Sequence, residues 1–234
     1  MSVWDDVGFM ARRKAARKRL DGLRGAESGG WADRRTWFEQ VYETAAGDAA
    51  QIPWADLAPK PALLRWLADN SAPPGRPVTA VDVACGLGDN AEALAAVGYA
   101  VTAFDLAEKA IDWAKRRFEG SSVRYVVADL FDAPLEWRHG FDLVHESYTL
   151  QALTEPLRGR AMRRIADLVA PGGRLLVITR GREDGAEANG PPWPLSPAEL
   201  ARFAGHGLEQ LSLADLIEQR DRPVRHFLAE YRRT

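Results

Sequence analysis

Two glycines and an acid in the middle of the chain have the types and spacing needed to hold a nucleoside. Val78–Gly88 reads VTAVDVACGLG, a short apolar run that ends in a turn containing Gly86 and Gly88. Glycine adopts backbone angles that other residues avoid and lets a ligand approach the main chain. Asp105 ends the next apolar run, where its carboxylate can accept hydrogen bonds from both hydroxyls of a ribose. The pattern therefore predicts a strand, a glycine turn and a helix around a nucleoside.

An acid inside the first strand, Asp82, decides which nucleoside derivative the pattern favours. Gly86, Gly88 and Ala91 also fit the dinucleotide fingerprint G-x-G-x-x-A, with Asp105 at about the expected distance of 20 residues. A carboxylate at Asp82 would repel a pyrophosphate, and burying it is costly unless a cation lies beside it. S-adenosylmethionine carries an ammonium and no phosphate, so the sequence favours that ligand over a dinucleotide.

Composition limits the classes of protein to consider. The chain has 234 residues, of which 46% are hydrophobic, and a formal net charge of −2. This is enough for one domain with a full core, and it gives no reason to expect a nucleic-acid partner. Cys85 is the only cysteine, which excludes an internal disulfide and fits a reducing compartment. Because no apolar run reaches the roughly 20 residues of a membrane span, we expect a cytoplasmic enzyme without a membrane partner, as a monomer or homodimer.

From Val78 onward, apolar runs alternate with amphipathic ones, as in an α/β fold. The predicted strands cover residues 78–84, 100–105, 122–128, 141–146, 174–179, 207–213 and 224–231. The predicted helices cover residues 89–97, 107–118, 155–169 and 197–204, and Pro171–Gly173 is predicted to be a turn. This order predicts a doubly wound, mostly parallel sheet.

The segments before Val78 do not follow this pattern. Residues 5–25 carry seven basic and three acidic side chains, and we expect residues 1–30 to form a basic, partly disordered extension. Residues 31–77 contain two helix-like stretches around a Pro/Trp turn and are predicted to form a helical lid. Residues 78–234 are predicted to form the core that binds the nucleoside.

Several of these motifs occur together in one known family. They are the acid–x–x–C–G–x–G loop at residues 82–88, the strand-ending acids Asp105 and Asp129, and the turn Pro171–Gly173. Residues 78–231 thereby resemble the class I S-adenosylmethionine-dependent methyltransferases. The resemblance implies a Rossmann-like sheet of seven strands with the last one antiparallel, S-adenosyl-L-methionine as the cofactor and a small molecule as the methyl acceptor.

Three local sequences are similar to one branch of that family, the thiopurine, thiol and halide methyltransferases. They are IPWAD at residues 52–56, SYTLQALTEPLR at 147–158 and GPPWPLSP at 190–197. Two features depart from the family's pattern: Ala84 stands where a glycine is common, and His145-Glu146 where relatives often carry an aromatic residue and Asp. The resemblance favours a thiol or another soft acceptor and leaves amines, hydroxyls and carboxylates open.

The resemblance also implies roles for single residues. Those assigned to the methionine end and the ribose of the cofactor are Asp82, Ala84, Gly86, Gly88 and Asp105. Those assigned to adenine, the sulfonium and the lid are Leu106, Leu130, Asp129, Glu146 and Trp54. From the residues alone, core packing is an alternative for Leu106 and Leu130 and a helix cap is an alternative for Asp129, so these roles stay open.

The chemistry at the acceptor depends on its proton. A thiol needs little beyond alignment because a thiolate forms near neutral pH, whereas an amine or hydroxyl needs a base. Candidates for that catalytic role are Glu146, His145 and Tyr148, with Asp56 from the lid. The histidines have no metal-ligand spacing, and we expect no metal. Two other classes remain: an NAD(P)-linked oxidoreductase, and a non-catalytic cofactor-binding protein of the same fold.

Overall fold

The computed structural model describes residues 5–21, 30–75, 77–218 and 223–234, and the structural statements below concern these residues. The α-helices are α1 Val7–Asp21, α2 Trp31–Ala45, α3 Pro61–Asp69, α4 Asp89–Ala96, α5 Glu108–Arg117, α6 Leu157–Leu168 and α7 Pro197–Ala201. The strands are β1 Thr79–Val83, β2 Ala100–Asp105, β3 Arg124–Val127, β4 Phe141–Ser147, β5 Val169–Arg180, β6 Leu208–Glu218 and β7 Val224–Arg233.

The strands form one sheet in the order β3-β2-β1-β4-β5-β7-β6. Strands β1 to β5 pair in parallel, whereas β7 runs antiparallel to both of its neighbours. This confirms the predicted seven-stranded, mostly parallel sheet. It also differs from the 3-2-1-4-5-6 order of dinucleotide-binding folds, which argues against the oxidoreductase alternative.

Apolar helix faces cover both sides of the sheet. On one side, α6 packs through Met162 and Ile165, both fully buried. On the other side, α3, α4 and α5 pack through Leu63, Leu94 and Ile111. Because parallel strands buried on both faces all end at the same edge of the sheet, the residues after β1, β2 and β4 meet there.

The prediction of a turn at Pro171–Gly173 is wrong, because these residues lie inside β5. Phe141 pairs with Val169, and the next pair joins Leu143 to Arg174, so the extra residues of β5 form a bulge. Proline and glycine occur both in turns and in β-bulges, so the sequence alone does not distinguish these two structures. The pairing of β5 with β4 does distinguish them.

The expectation of a partly disordered extension over residues 1–30 is also corrected, at Val7–Asp21. These residues form α1, whose Phe9, Arg13, Ala16 and Leu20 are buried, and the helix packs against the short helix Ala49–Gln51. The rest of the predicted extension lies outside the described residues, except for 5–6 and 30. Four buried positions spaced along one face explain why a strongly basic helix packs here, because its basic side chains other than Arg13 occupy the other positions.

In the described part of the chain, no helix is both long enough and apolar enough to cross a membrane.

Candidate functional site

A deep cavity opens at the carboxyl edge of the sheet, between the strand ends and the N-terminal helices. It contains about 1370 Å³ of space, counted to its open mouth. The strand ends contribute Ala84, Phe104, Asp105, Leu106, Ala128, Leu130, Ser147, Tyr148 and Arg180. The helical cover contributes Arg17, Leu20, Trp31, Arg34, Trp37, Phe38, Tyr42, Pro53, Trp54 and Asp56. The wall is thus largely aromatic and apolar, with a few charged groups, as ligand pockets usually are.

Asp105 is the buried acid of this cavity. One carboxylate oxygen accepts from the backbone N–H of Gly86 and the other from that of Ala107, each at 3.0 Å. Each oxygen can still accept another hydrogen bond. Burial raises the pKa of Asp105 to about 6, although the N–H groups of Ala107 and Gly86 act in the opposite direction. The sequence-predicted ribose acceptor therefore lies in the cavity wall and also holds the glycine turn in place.

The turn after β1 has a left-handed backbone at three positions. Ala84, Gly86 and Gly88 have φ values of 52°, 54° and 89°. Gly88 is needed for a second reason, since a Cβ there would lie 2.4 Å from the Tyr125 hydroxyl, which donates to Glu92. Ala84 lines the cavity, whereas the two glycines lie behind its wall.

Asp82 and His145 pair with each other inside the sheet. They are direct neighbours in the β1–β4 register, and Nδ1 of His145 lies 2.7 Å from a carboxylate oxygen of Asp82. Asp82 is 2% exposed and His145 is fully buried. Among the described residues, the second oxygen of Asp82 and Nε2 of His145 have no hydrogen-bond partner. The buried Asp82 carboxylate therefore has a hydrogen-bond partner within the protein itself.

Glu146 is fully buried and faces the turn that follows β4. One of its oxygens accepts from the backbone N–H groups of Thr149 and Leu150, at 2.5 and 3.2 Å. Burial raises its pKa to about 7. Neither Glu146 nor His145 is among the residues that line the cavity, whereas Tyr148, the third predicted catalytic residue, is.

The Asp129 carboxylate accepts two hydrogen bonds, one from the main chain and one from a side chain. One oxygen accepts from the backbone N–H of Phe131 and caps the short helix Leu130–Asp132, as the cap interpretation requires. The other accepts from the Trp31 indole at 2.7 Å. The side chain assigned to the adenine amine is thus bonded to the first residue of α2.

The helical cover has a hydrophobic core of its own. Trp54 donates its indole N–H to the Tyr42 hydroxyl at 2.9 Å and packs against Trp37 and Phe38. The same cluster includes Ile52, which is fully buried. The cover is therefore an organised layer over the cavity and not a single loop.

Sequence reasoning missed Arg34, which is 3% exposed and lines the cavity. Its guanidinium lies 4.6 and 4.7 Å from the ring centroids of Trp37 and Phe38, and it donates to the Ala152 carbonyl at 2.7 Å. Burial lowers its pKa to about 10. The spacing of three and four residues to the aromatic positions was a usable signal for this contact.

Comparison with known proteins places the chain in a family. Residues 80–173 match the methyltransferase domain family. Over 176 residues the chain is 32% identical to the ubiquinone biosynthesis O-methyltransferase of Thiobacillus denitrificans, which covers 67% of this chain and 74% of that protein. The chain belongs to the class I S-adenosylmethionine-dependent methyltransferases. As a family, these methyltransferases use S-adenosylmethionine as their cofactor.

Two further proteins are similar to this chain, one over part of its sequence and one in its fold. A segment of 72 residues is 36% identical to thiopurine S-methyltransferase from Vibrio cholerae and covers 31% of each chain. The fold is shared with Burkholderia thailandensis 1,6-didemethyltoxoflavin-N1-methyltransferase, at 20% identity and a TM-score of 0.65 over 86% of this chain and 87% of that one. The chain spans about half the length of other curated relatives it matches, 43% of one and 57% of another.

The residues present fit the methyltransferase cofactor. The buried Asp105 carboxylate in the cavity wall keeps acceptor capacity for a ribose. Leu106 and Leu130 both line the cavity and offer apolar surface for a planar base. The Ser147 hydroxyl, also in the wall, has no hydrogen-bond partner among the described residues. The part of the chain that is described contains no group of three or more His, Cys, Asp or Glu residues arranged for a metal ion.

Proposed function

We propose that this chain transfers a methyl group from S-adenosylmethionine to a small-molecule acceptor bound in the cavity. The observation that carries the proposal is the position of Asp105, a buried carboxylate in the wall of a largely aromatic and apolar cavity at the carboxyl edge of the sheet. Family membership supports the same reaction.

The cofactor residues follow from this proposal. Asp105 accepts from the ribose, Leu106 and Leu130 enclose adenine, and Ala84 with the glycine turn faces the methionine end. Trp54 covers the ligand from the lid. Asp82 acts from behind the wall, and its pairing with His145 supports a role in holding the end of β1 rather than in direct contact with the ligand.

When bound, S-adenosylmethionine supplies an electrophilic methyl group on a sulfonium. The protein's contribution is to align the acceptor with that methyl group and to exclude water. Alignment of two reactants lowers the activation free energy by on the order of 7 kcal/mol. The aromatic walls formed by Trp31, Trp37 and Phe38 supply flat apolar surface for a planar acceptor. Arg34 beside them supplies a fixed cation.

The methyl acceptor can be a sulfur or an oxygen atom. The preference for a thiol or another soft acceptor stays a prediction, and the match to a thiopurine S-methyltransferase supports it. The longer match to an O-methyltransferase supports a hydroxyl. We propose a planar small molecule and keep both atoms as acceptors to be tested.

The test combines binding and turnover. Calorimetry with S-adenosylhomocysteine and with NAD⁺ should give a complex with the first only. Transfer of label from methyl-labelled S-adenosylmethionine to a panel of matched aromatic thiols and phenols should then identify the acceptor atom. Binding without turnover of any acceptor would favour a non-catalytic cofactor-binding protein, and binding of NAD⁺ alone would overturn the proposal.

A further inference from the structure

Tyr148 has an unusual backbone for a bulky residue. It follows β4 directly, lines the cavity and has a φ of 71°, in the left-handed region. Its backbone N–H donates to the carbonyl of Ile178 on β5, which holds this conformation in place. Residues held in such conformations cluster at functional sites, because the surrounding structure must offset the strain.

The Tyr148 hydroxyl meets a buried histidine from β7. It lies 2.6 Å from Nε2 of His226, and the two rings stack with centroids 5.7 Å apart. Nδ1 of His226 lies 3.1 Å from the carbonyl of Val224, which can only accept a hydrogen bond. Nδ1 therefore carries a proton, and in the neutral form of the ring Nε2 accepts from the Tyr148 hydroxyl. This direction leaves the lone pairs of the phenol oxygen as acceptors.

Charged groups flank the pair on both sides. The Lys60 ammonium lies 3.9 Å from the centre of the Tyr148 ring and pairs with Asp56 at 2.5 Å. A carboxylate oxygen of Glu218 lies 3.8 Å from Nδ1 of His226. Arg180 is opposite His226 in the β5–β7 register. Lys60 thus favours negative charge on the phenol, while Glu218 favours positive charge on the imidazole.

We propose that Tyr148 and His226 form a proton relay that accepts the proton of a hydroxyl acceptor during methyl transfer. This inference rests on the proposed function and concerns its hydroxyl acceptors, which need a base, whereas soft acceptors do not. The acceptor oxygen forms the bond to the methyl carbon as the carbon–sulfur bond breaks, its electron pair going to sulfur. The acceptor's proton passes to the Tyr148 oxygen, and the Tyr148 proton passes to Nε2 of His226. Tyr148 is the catalytic residue in this relay and His226 the positioning residue.

The relay can be tested without turnover, using 4-nitrophenol as a hydroxyl probe whose ionised form has its own visible absorption. The probe is titrated into the complex with S-adenosylhomocysteine at a pH below its own pKa. We expect the wild-type complex to raise the ratio of phenolate to phenol about tenfold, which corresponds to one pKa unit. Tyr148→Phe and His226→Gln should abolish the rise.

Two matched variants serve as controls. Tyr99→Phe removes a hydroxyl that donates to the Asn70 carbonyl, and His206→Gln removes a histidine near the start of β6. Both should keep the full rise in phenolate. Because Tyr148→Phe retains the stacked ring, it separates loss of the relay from loss of folding, and circular dichroism checks this directly.

The outcomes separate the relay from the proposed function. An unchanged spectrum with the wild-type complex, or an equal rise in Tyr148→Phe, overturns the relay. Calorimetry with S-adenosylhomocysteine is run first on each variant, and an absence of binding to the wild type would instead overturn the proposed function. A rise that Tyr148→Phe and His226→Gln both lose, while the controls keep it, supports the relay.

Discussion

Three of the acids predicted for the cofactor site have three different environments. Asp105 lies in the cavity wall, Asp82 pairs with His145, and Glu146 faces the turn after β4. The sequence located each acid within a strand or at its end but not the direction of its side chain, because that direction depends on the register between strands. A one-residue shift in register would have exchanged the faces of His145 and Glu146.

Asp105 gives the most direct test of ribose binding. We expect Asp105→Asn to weaken binding of S-adenosylhomocysteine by about 1.5–3 kcal/mol, because a charged acceptor is lost. Isothermal calorimetry measures this difference. Asp69→Asn, on the exposed end of α3, should leave the dissociation constant unchanged. An unchanged constant in Asp105→Asn would remove Asp105 from the ribose.

Glu146 gives a test of pH-dependent stability. Its folded pKa is about 7, above the ordinary value of 4.5, so its stabilising contribution is complete below pH 4.5 and is lost as the pH rises through 7. The shift corresponds to about 3 kcal/mol. We expect Glu146→Gln to lose less stability than wild type between pH 5 and 8 in urea unfolding. Glu119→Gln, an exposed control, should show the same dependence of unfolding free energy on pH as the wild type. The same dependence in Glu146→Gln would contradict the prediction.

At the scale of elements, the α/β alternation was predictable and the helical cover was only partly so. β2 matches its predicted bounds, β1 differs from its bounds by one residue at each end, and α4 ends one residue early, because apolar periodicity and glycine turns act locally. The basic stretch that forms α1 was misread, because its buried face contains only a few apolar side chains and the buried Arg13. Its partners lie on the lid and are distant in sequence.

Arg12 and Arg13 form a matched pair on α1. Arg13 is 3% exposed and pairs with Asp56 at 3.2 Å, whereas Arg12 is largely exposed and pairs with Asp48 at 3.0 Å. Arg13→Ala removes one of two cations beside the buried Asp56, which keeps Lys60 at 2.5 Å, so the lost charged hydrogen bond should cost about 2 kcal/mol of unfolding free energy. Arg12→Ala should cost less than about 1 kcal/mol. Equal losses in chemical denaturation would show that α1 does not anchor the lid.

Residues 31–56, the first part of the lid, should become less dynamic when the ligand binds. It forms one wall of the cavity and is joined to the sheet side through the Trp31–Asp129 bond. We expect hydrogen exchange in residues 31–56 to slow on addition of S-adenosylhomocysteine, as lids do when they close. Exchange in β6, at the far edge of the sheet, is the internal reference. Slow exchange at 31–56 before any ligand is added would show that the segment is permanent core.

At the scale of the whole molecule, one sheet and three apolar clusters make unfolding a shared event for the cavity and the core. A ligand that binds only the folded state should therefore raise the melting temperature of the entire chain. At 100 times its dissociation constant, S-adenosylhomocysteine should add about 2.7 kcal/mol, or roughly 5–10 °C. Differential scanning fluorimetry with NAD⁺ and NADP⁺ at the same concentration should show no such rise. A rise with NADP⁺ would reopen the dinucleotide interpretation.

The place of β7 in the sheet has a consequence for how the protein is made. β6 lies at the edge and pairs only with β7, although β7 is synthesised after it. On the ribosome, where about 5–20 residues are added each second, β6 therefore waits without a partner while β1 to β5 are already able to pair. The arrival of β7 joins β6 to β5 and brings His226 to Tyr148 in the same step. A nascent chain thus acquires the Tyr148–His226 pair late, when the sheet closes, after every residue that lines the cavity has been synthesised.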